Sequence, residues 1–278
     1  MDHRIEPMSP TKFKAGLSKS IAQAVSKLAT IRLARQVVVQ VYKAVGAFSS
    51  VTGIDPVLEL PLGPLGVDAR FSFHIFNRDI NFILQVFVLH IYERHCKLQP
   101  GDVVVDCGAY IGDFTTRASR IVGPEGKVMA FEANSKTYSI CARNMRKNRL
   151  TNVKLYNVAL GDRTRTGYLK VDRINLGATR IVNEDSRGSS QTIEMRTLSE
   201  FLPALGGRPI KLLKMNVEGY ATKILAGAPE LLERRLFENL AAELHPGEEG
   251  LQALLEAHGY QCIVERPWLY ASSATQEA

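Results

Sequence analysis

Hydrophobic and polar positions divide the chain into stretches of different period. In residues 11–48, Ile21, Val25, Leu28, Ile31 and the Ala34/Arg35 pair recur near helical spacing, which predicts one or two amphipathic helices. Gly53 to Gly66 is rich in proline and glycine and marks a boundary. Beyond it Val67, Ala69, Phe71, Phe73 and Ile75 alternate with their neighbours as a strand does. With Val57-Leu58-Glu59-Leu60 ahead of the Pro61-Leu62-Gly63-Pro64 turn, this strand is expected to close a hairpin over one side of a pocket. Residues 79–97 read as one helix. From residue 101 the rhythm is regular, with strands expected at 102–106, 127–131, 153–158, 210–216, 239–244, 260–264 and 267–271. Helices fall between them near 112–122, 134–148, 219–235 and 249–258, which is the signature of βαβ units and a parallel sheet. Residues 160–200 break the rhythm and read as a substrate-facing loop. The chain is therefore divided into an extension, 1–78, and an α/β domain, 79–278.

The candidate chemistry starts at Val103-Val104-Val105-Asp106-Cys107-Gly108-Ala109-Tyr110-Ile111-Gly112, a buried strand, an acid at its carboxyl end, and a glycine-bracketed turn opening a helix. The next strand, Lys127-Val128-Met129-Ala130-Phe131, ends in Glu132. Open parallel sheets bind ligands just outside the carboxyl ends of their strands. A glycine turn for close approach, with a carboxylate one strand over to accept from ribose hydroxyls, makes a nucleotide-type pocket. A dinucleotide fingerprint needs G-x-G-x-x-G; here the pattern is Asp106-x-Gly108-x-x-x-Gly112, and Tyr110 stands where the middle glycine belongs. That spacing favours S-adenosylmethionine, which has a ribose and no pyrophosphate, over a nicotinamide dinucleotide.

Five segments in register resemble the FkbM family of class I S-adenosylmethionine-dependent methyltransferases. They are Gly101-Asp102-Val103-Val104-Val105-Asp106-Cys107-Gly108-Ala109, Val122-Gly123-Pro124-Glu125-Gly126-Lys127-Val128 with Phe131-Glu132, Asn157-Val158-Ala159-Leu160-Gly161-Asp162, Leu213-Lys214-Met215-Asn216-Val217-Glu218-Gly219, and Ala242-Glu243-Leu244-His245. The resemblance implies a Rossmann-like, doubly wound sheet of seven strands, the last antiparallel, and methyl transfer to a hydroxyl. It implies a cofactor site of Asp106, Gly108, Ala109, Tyr110, Gly112 and Glu132, with Asp162 as an adenine contact. Family members typically carry aspartate at the position of Asn216, and asparagine cannot serve as a base.

Proton removal then falls to Glu218 or to His245, which Glu243, two residues earlier on the same strand face, could orient. Glu218, Glu243 and His245 are also the one trio suited to a divalent cation, although the expected site holds no metal. Glu93 is an acid in a region where relatives often carry one. The expected acceptor is a hydroxyl on a sugar, a polyketide or another small metabolite. A binding-only protein, motivated by Asn216, and a nucleic-acid methyltransferase are the alternatives.

Composition narrows this modestly. Hydrophobic content of 45%, charged content of 23% and a net charge of +7 describe an ordinary, mildly basic globular chain. Residues 11–48 hold Lys12, Lys14, Lys19, Lys27, Arg32, Arg35 and Lys43 and no acid, a pattern open to peripheral membrane contact, a solvated helix face or a homodimer contact. Residues 14–41 hold no aromatic side chain, which weighs against stacking on nucleic-acid bases. Cys96, Cys107, Cys141 and Cys262 are scattered, without a C-x-x-C pair, and read as buried small apolar groups in a reducing compartment. No stretch approaches the ~20 apolar residues of a membrane span, and no secretory pattern opens the chain, so the expected location is cytoplasmic.

Overall fold

The computed structural model describes residues 57–61, 69–74, 79–171, 179–182 and 190–273. All of these belong to one unit, Pro56–Ala278. The expected basic helices of residues 11–48 lie outside the described residues. Among the described residues no helix is long and apolar enough to cross a membrane.

The described residues open with strands β1 (Val57–Pro61) and β2 (Arg70–His74), paired antiparallel with Val57 opposite His74. Helix α1 (Asp79–Phe87) follows, then a 3-10 turn at Ile91–Glu93. The single helix expected over 79–97 therefore stops early, because His90 takes a left-handed conformation (φ 50°) between the two pieces. Next come β3 (Val103–Cys107), α2 (Asp113–Val122), β4 (Lys127–Phe131), α3 (Ser135–Lys147) and β5 (Val153–Tyr156). After them lie β6 (Ala159–Leu160), β7 (Arg165–Lys170), β8 (Arg180–Val182), β9 (Ser190–Arg196) and the 3-10 helix Leu198–Leu205. The chain closes with β10 (Ile210–Met215), α4 (Ala221–Ala226), α5 (Glu230–Glu233), β11 (Phe237–Glu243), α6 (Leu251–Ala257), β12 (Tyr260–Glu265) and β13 (Trp268–Ser273).

Seven strands form the main sheet in the order β12-β13-β11-β10-β3-β4-β5. β11, β10, β3, β4 and β5 run parallel, and β13 is inserted antiparallel between β11 and β12. This is the expected doubly wound, Rossmann-like α/β sheet with its final strand reversed. The central strand β3 is buried at every position, which is why it reads as unbroken valine rather than as an alternation. Strand order reverses between β3 and β10, the switch point where such sheets bind ligands. Val105, Met129, Leu213 and Leu240 belong to the main core. The helix expected at 219–235 is split into α4 and α5. Pro229 lacks an N–H to continue the ladder, and a Cβ at Gly227 would sit 2.1 Å from Gly161 O.

Residues 160–200, expected as a loop, instead contain most of a second, four-stranded sheet of order β6-β9-β7-β8. Leu169 of β7 stands opposite Ile181 of β8. The β1–β2 hairpin forms as expected. Two asparagines one turn apart, Asn144 on α3 and Asn148 at its C-cap, hold β2. Asn144 Oδ1 accepts from Ser72 N (2.7 Å) and its Nδ2 donates to Ser72 O (3.0 Å). Asn148 does the same for Arg70 (3.0 and 2.8 Å), so α3 presents two side-chain amides in place of a neighbouring strand.

Candidate active site

A cleft of about 890 Å³, mouth included, opens at the carboxyl ends of β3, β4 and β10. Its floor is the turn after β3. Gly108 (φ 84°) packs so tightly that a Cβ would lie 2.0 Å from Asn216 O; only glycine fits. The N–H groups of Gly108 and Ala109 both donate to Phe131 O, at 3.0 and 2.8 Å, so the turn is bonded directly to the end of β4. Gly112 (φ 85°) opens α2 against Cys141 Sγ, 2.8 Å from where a Cβ would be. Tyr110 is left-handed (φ 53°). Its phenol donates to buried Asp79 Oδ1 of α1 at 2.5 Å, and its ring meets Phe82 edge-on at 5.5 Å. Burial, with Asp79 alongside, pushes the Tyr110 hydroxyl far above its ordinary range.

Glu132 follows β4 directly and lines the cleft at 9% exposure. Its Oε2 accepts from Tyr110 N at 2.7 Å, and its Oε1 accepts from Asn134 N (2.9 Å) and Thr137 Oγ1 (2.8 Å). Burial raises its pKa above the usual carboxylate range, and these donors and Lys214 oppose the rise. Beside it, Asn134 caps α3 by accepting from Lys136 N at 3.0 Å. Its buried Nδ2 has no partner.

Beneath the turn lies a charge network that the sequence did not advertise. Lys214 of β10 stands in register with Asp106 of β3. Its Nζ is 2.8 Å from Asp106 Oδ1, donates to Gly108 O at 2.5 Å, and sits 5.1 Å from the Tyr92 ring centroid. Burial works against its charge, but Asp106, Tyr92 and Asp113 outweigh it, and the ammonium is held well above its ordinary pKa. Thr115 Oγ1 donates to the other oxygen, Asp106 Oδ2, at 2.6 Å. Asp113, also on the cleft wall, is pushed up to about 6 by burial, with Lys214 and the Phe114 N–H opposing. Tyr92 closes the group: Asn216 Nδ2 donates to its hydroxyl at 3.3 Å.

The opposite wall follows β10. Glu218 and Gly219 are both left-handed (φ 50° and 89°), a paired departure from ordinary backbone that turns the chain sharply into α4. Glu218 lines the cleft, and its Oε2 is 3.7 Å from His245 Nδ1. Burial raises the Glu218 pKa; His245 and Arg180 lower it, and Glu243 and Glu248 add to the rise. His245 Nε2 is buried without a partner. The loop carrying His245 is fixed by Glu248, 2% exposed, whose carboxylate accepts from His245 N (3.1 Å) and from Ala221 N at the start of α4 (2.7 Å).

A model of the FkbM methyltransferase domain matches residues 106–262, more than half of the chain. The chain belongs to the FkbM methyltransferase family. Among curated relatives, 31-O-demethyl-FK506 methyltransferase FkbM of Streptomyces tacrolimicus is 27% identical over 222 residues, covering 68% of this chain and 84% of that one. Methyltransferase 1 of Beauveria bassiana is 26% identical, with the same coverage of 68% and 84%. The 2-O-methyltransferase NoeI of Sinorhizobium fredii is 25% identical over 57% of this chain and 71% of its own length. Among solved structures, an FkbM methyltransferase from Methylobacillus flagellatus is 17% identical and has a TM-score of 0.46; the match covers 62% of this chain and 43% of that longer one.

Of the residues expected from the family motifs, Gly108, Tyr110, Glu132, Asn216 and Glu218 line the cleft together. Asp106, Ala109 and Gly112 lie behind its wall, where Asp106 holds Lys214 and the other two shape the turn. His245 and Glu243 stand behind Glu218 rather than on the surface of the cleft. Asp162 is in the turn after β6, away from the cleft lining, with Arg163 Nε 3.8 Å from its carboxylate. Among the described residues no group of three or more His, Cys, Asp and Glu side chains is disposed to hold a metal, the Glu218, Glu243 and His245 trio included. Asp79, Tyr92, Asp113, Asn134, Lys214 and Glu248 complete the site and were missed. Glu93 is tied to Arg117 (2.7 Å) outside it.

Proposed function

We propose that this chain is an S-adenosylmethionine-dependent methyltransferase acting on a hydroxyl oxygen of a small molecule. The observation that carries the reading is Glu132. It is a buried carboxylate on the cleft wall whose Oε2 has a single described hydrogen bond, beside an Asn134 amide with no partner. Vicinal ribose hydroxyls both donate and accept, and this pair supplies the matching acceptor and donor. Gly108 presents bare backbone on the cleft lining to the remainder of the cofactor. Charge supports the choice: Asp113, Glu132 and Glu218 line the cleft, and Lys214 is already engaged by Asp106. Such a surface suits a cationic sulfonium and disfavours a pyrophosphate.

When bound, the cofactor would supply an electrophilic methyl carbon on a positively charged sulfur, the C–S bond breaking to a neutral thioether as the bond from the acceptor oxygen forms. The chain has to align the acceptor, keep water out and take up its proton. Asn216 stays neutral, so proton removal falls to Glu218, the cleft-lining carboxylate two residues beyond it, whose pKa is raised by burial. His245 Nδ1 stands 3.7 Å from its Oε2, and Glu248 keeps His245 in place. Asn216 also favours a second reading, cofactor binding without turnover.

Transfer of a labelled methyl group to a panel of hydroxyl-bearing small molecules tests the reading. Glu218→Gln should lower turnover by roughly 10²–10⁴-fold and leave cofactor affinity unchanged. Turnover that survives the substitution, or product methylated at carbon or nitrogen, counts against it; binding with no turnover selects the second reading.

A further inference from the structure

The far side of the same cleft differs in character from the cofactor side. Its wall is built from the end of β6 (Leu160), β7 (Leu169), β8 (Ile181) and α4 (Ile224). Leu169 and Ile181 are cross-strand partners, so their side chains form one apolar surface. Thr179, two residues before Ile181, shares that face. On this wall two hydroxyls are buried and have no hydrogen-bond partner: Tyr220 Oη and Thr179 Oγ1. Buried hydroxyls in folded proteins are almost always bonded, so an unbonded pair just beneath the wall of one cleft calls for a partner. Tyr220 is not free to seek another partner. It is 6% exposed, its ring lies against Gly161, 3.8 Å from where a Cβ there would be, and Lys223 Nζ sits 4.3 Å from the ring centroid.

The charges restrict what the pair can bind. Three carboxylates line the cleft, and its one lining lysine among the described residues is spent on Asp106. Arg180, exposed on β8, is offset by Glu218. The chain carries a net +7, but that excess is not inside the cleft. A phosphorylated or nucleic-acid acceptor would meet three like charges on the lining, where among the described residues the single lysine is already paired.

We propose that Tyr220 and Thr179 form the hydrogen-bonding groups of an acceptor subsite that takes an uncharged, hydroxyl-bearing molecule with an apolar body, packed on Leu160, Leu169, Ile181 and Ile224. The proposal rests on the methyltransferase reading for the role of the site, although binding can be tested without it. 2-Naphthol and 2-naphthyl phosphate serve as probes, since they differ only in the phosphate. Binding of each is followed by naphthyl fluorescence with the full chain, with and without S-adenosylhomocysteine. 2-Naphthol should bind, and the phosphate should bind at least tenfold more weakly. Tyr220→Phe and Thr179→Val should each weaken 2-naphthol by about two- to tenfold, the range for one hydrogen bond, and leave S-adenosylhomocysteine affinity unchanged. No binding of 2-naphthol, equal binding of its phosphate, or substitutions that weaken S-adenosylhomocysteine instead would overturn the assignment. If S-adenosylhomocysteine itself fails to bind while 2-naphthol behaves as stated, the subsite stands and the methyltransferase reading fails.

Discussion

Lys214 Nζ lies 2.8 Å from Asp106 Oδ1, and the two side chains are 3% and 0% exposed. The pair sits one residue from the carboxyl ends of β3 and β10, at the switch point of the sheet, under the turn that Gly108 makes. Taking one partner away leaves an uncompensated buried charge, which costs about 3–5 kcal/mol. Lys214→Met should therefore lower stability by about that amount, and the double change Asp106→Asn, Lys214→Met should recover part of it. Denaturant melts of the three variants beside the native chain give the comparison.

Gly108 and Asn216 define a second tight relationship. A Cβ at residue 108 would be 2.0 Å from Asn216 O, on a backbone with φ of 84°. Gly108→Ala thus adds a backbone clash to the ~1–2 kcal/mol of left-handed strain. Gly206 provides the control, because it is left-handed (φ 67°, ψ 32°) with nothing within 4 Å of its Cβ position. Thermal melts should show a larger loss for Gly108→Ala than for Gly206→Ala, and only the former should also weaken cofactor binding.

Much of the main sheet was legible, and the reason is local. Buried parallel strands such as Val103-Val104-Val105 and Ile210 to Met215 read as apolar runs, and their turns carry the family motifs. The second sheet was not legible, because Gly167 occupies an inward position of β7. A Cβ there would strike Met195 Sδ at 2.4 Å, so packing requires the residue that hides the alternation. β9 did carry a signal, with Ile193 and Met195 buried between exposed Thr192 and Glu194, and it could have been read. The polar centre was hidden for a different reason. Lys214 in Leu213-Lys214-Met215 has no sequence neighbour that explains its burial, since Asp106 reaches it only through the β3–β10 register. Tyr110 stands out in the sequence at the place of a middle glycine, but its bond to Asp79 depends on where α1 packs.

Asp113 makes stability depend on pH. Its carboxyl is pushed up to about 6 by burial, whereas in an unfolded chain it titrates near 3.9. Between those values the folded state holds a proton that the unfolded state has released, so folding is favoured at the acid end of the window. Stability from this group is complete below about pH 4 and is lost as pH rises through about 6. Asp113→Asn should flatten the stability profile between pH 4 and 6, as read by thermal melts at fixed ionic strength. An unchanged slope would show that Asp113 titrates normally.

The central claim is that Glu132 grips a nucleoside cofactor of the S-adenosylmethionine type, and calorimetric titration tests it most directly. The native chain should bind S-adenosylmethionine in the micromolar range and ignore NAD, and Glu132→Ala should abolish the S-adenosylmethionine signal while the protein remains folded. Binding of NAD instead, or S-adenosylmethionine binding unaffected by Glu132→Ala, would contradict the account.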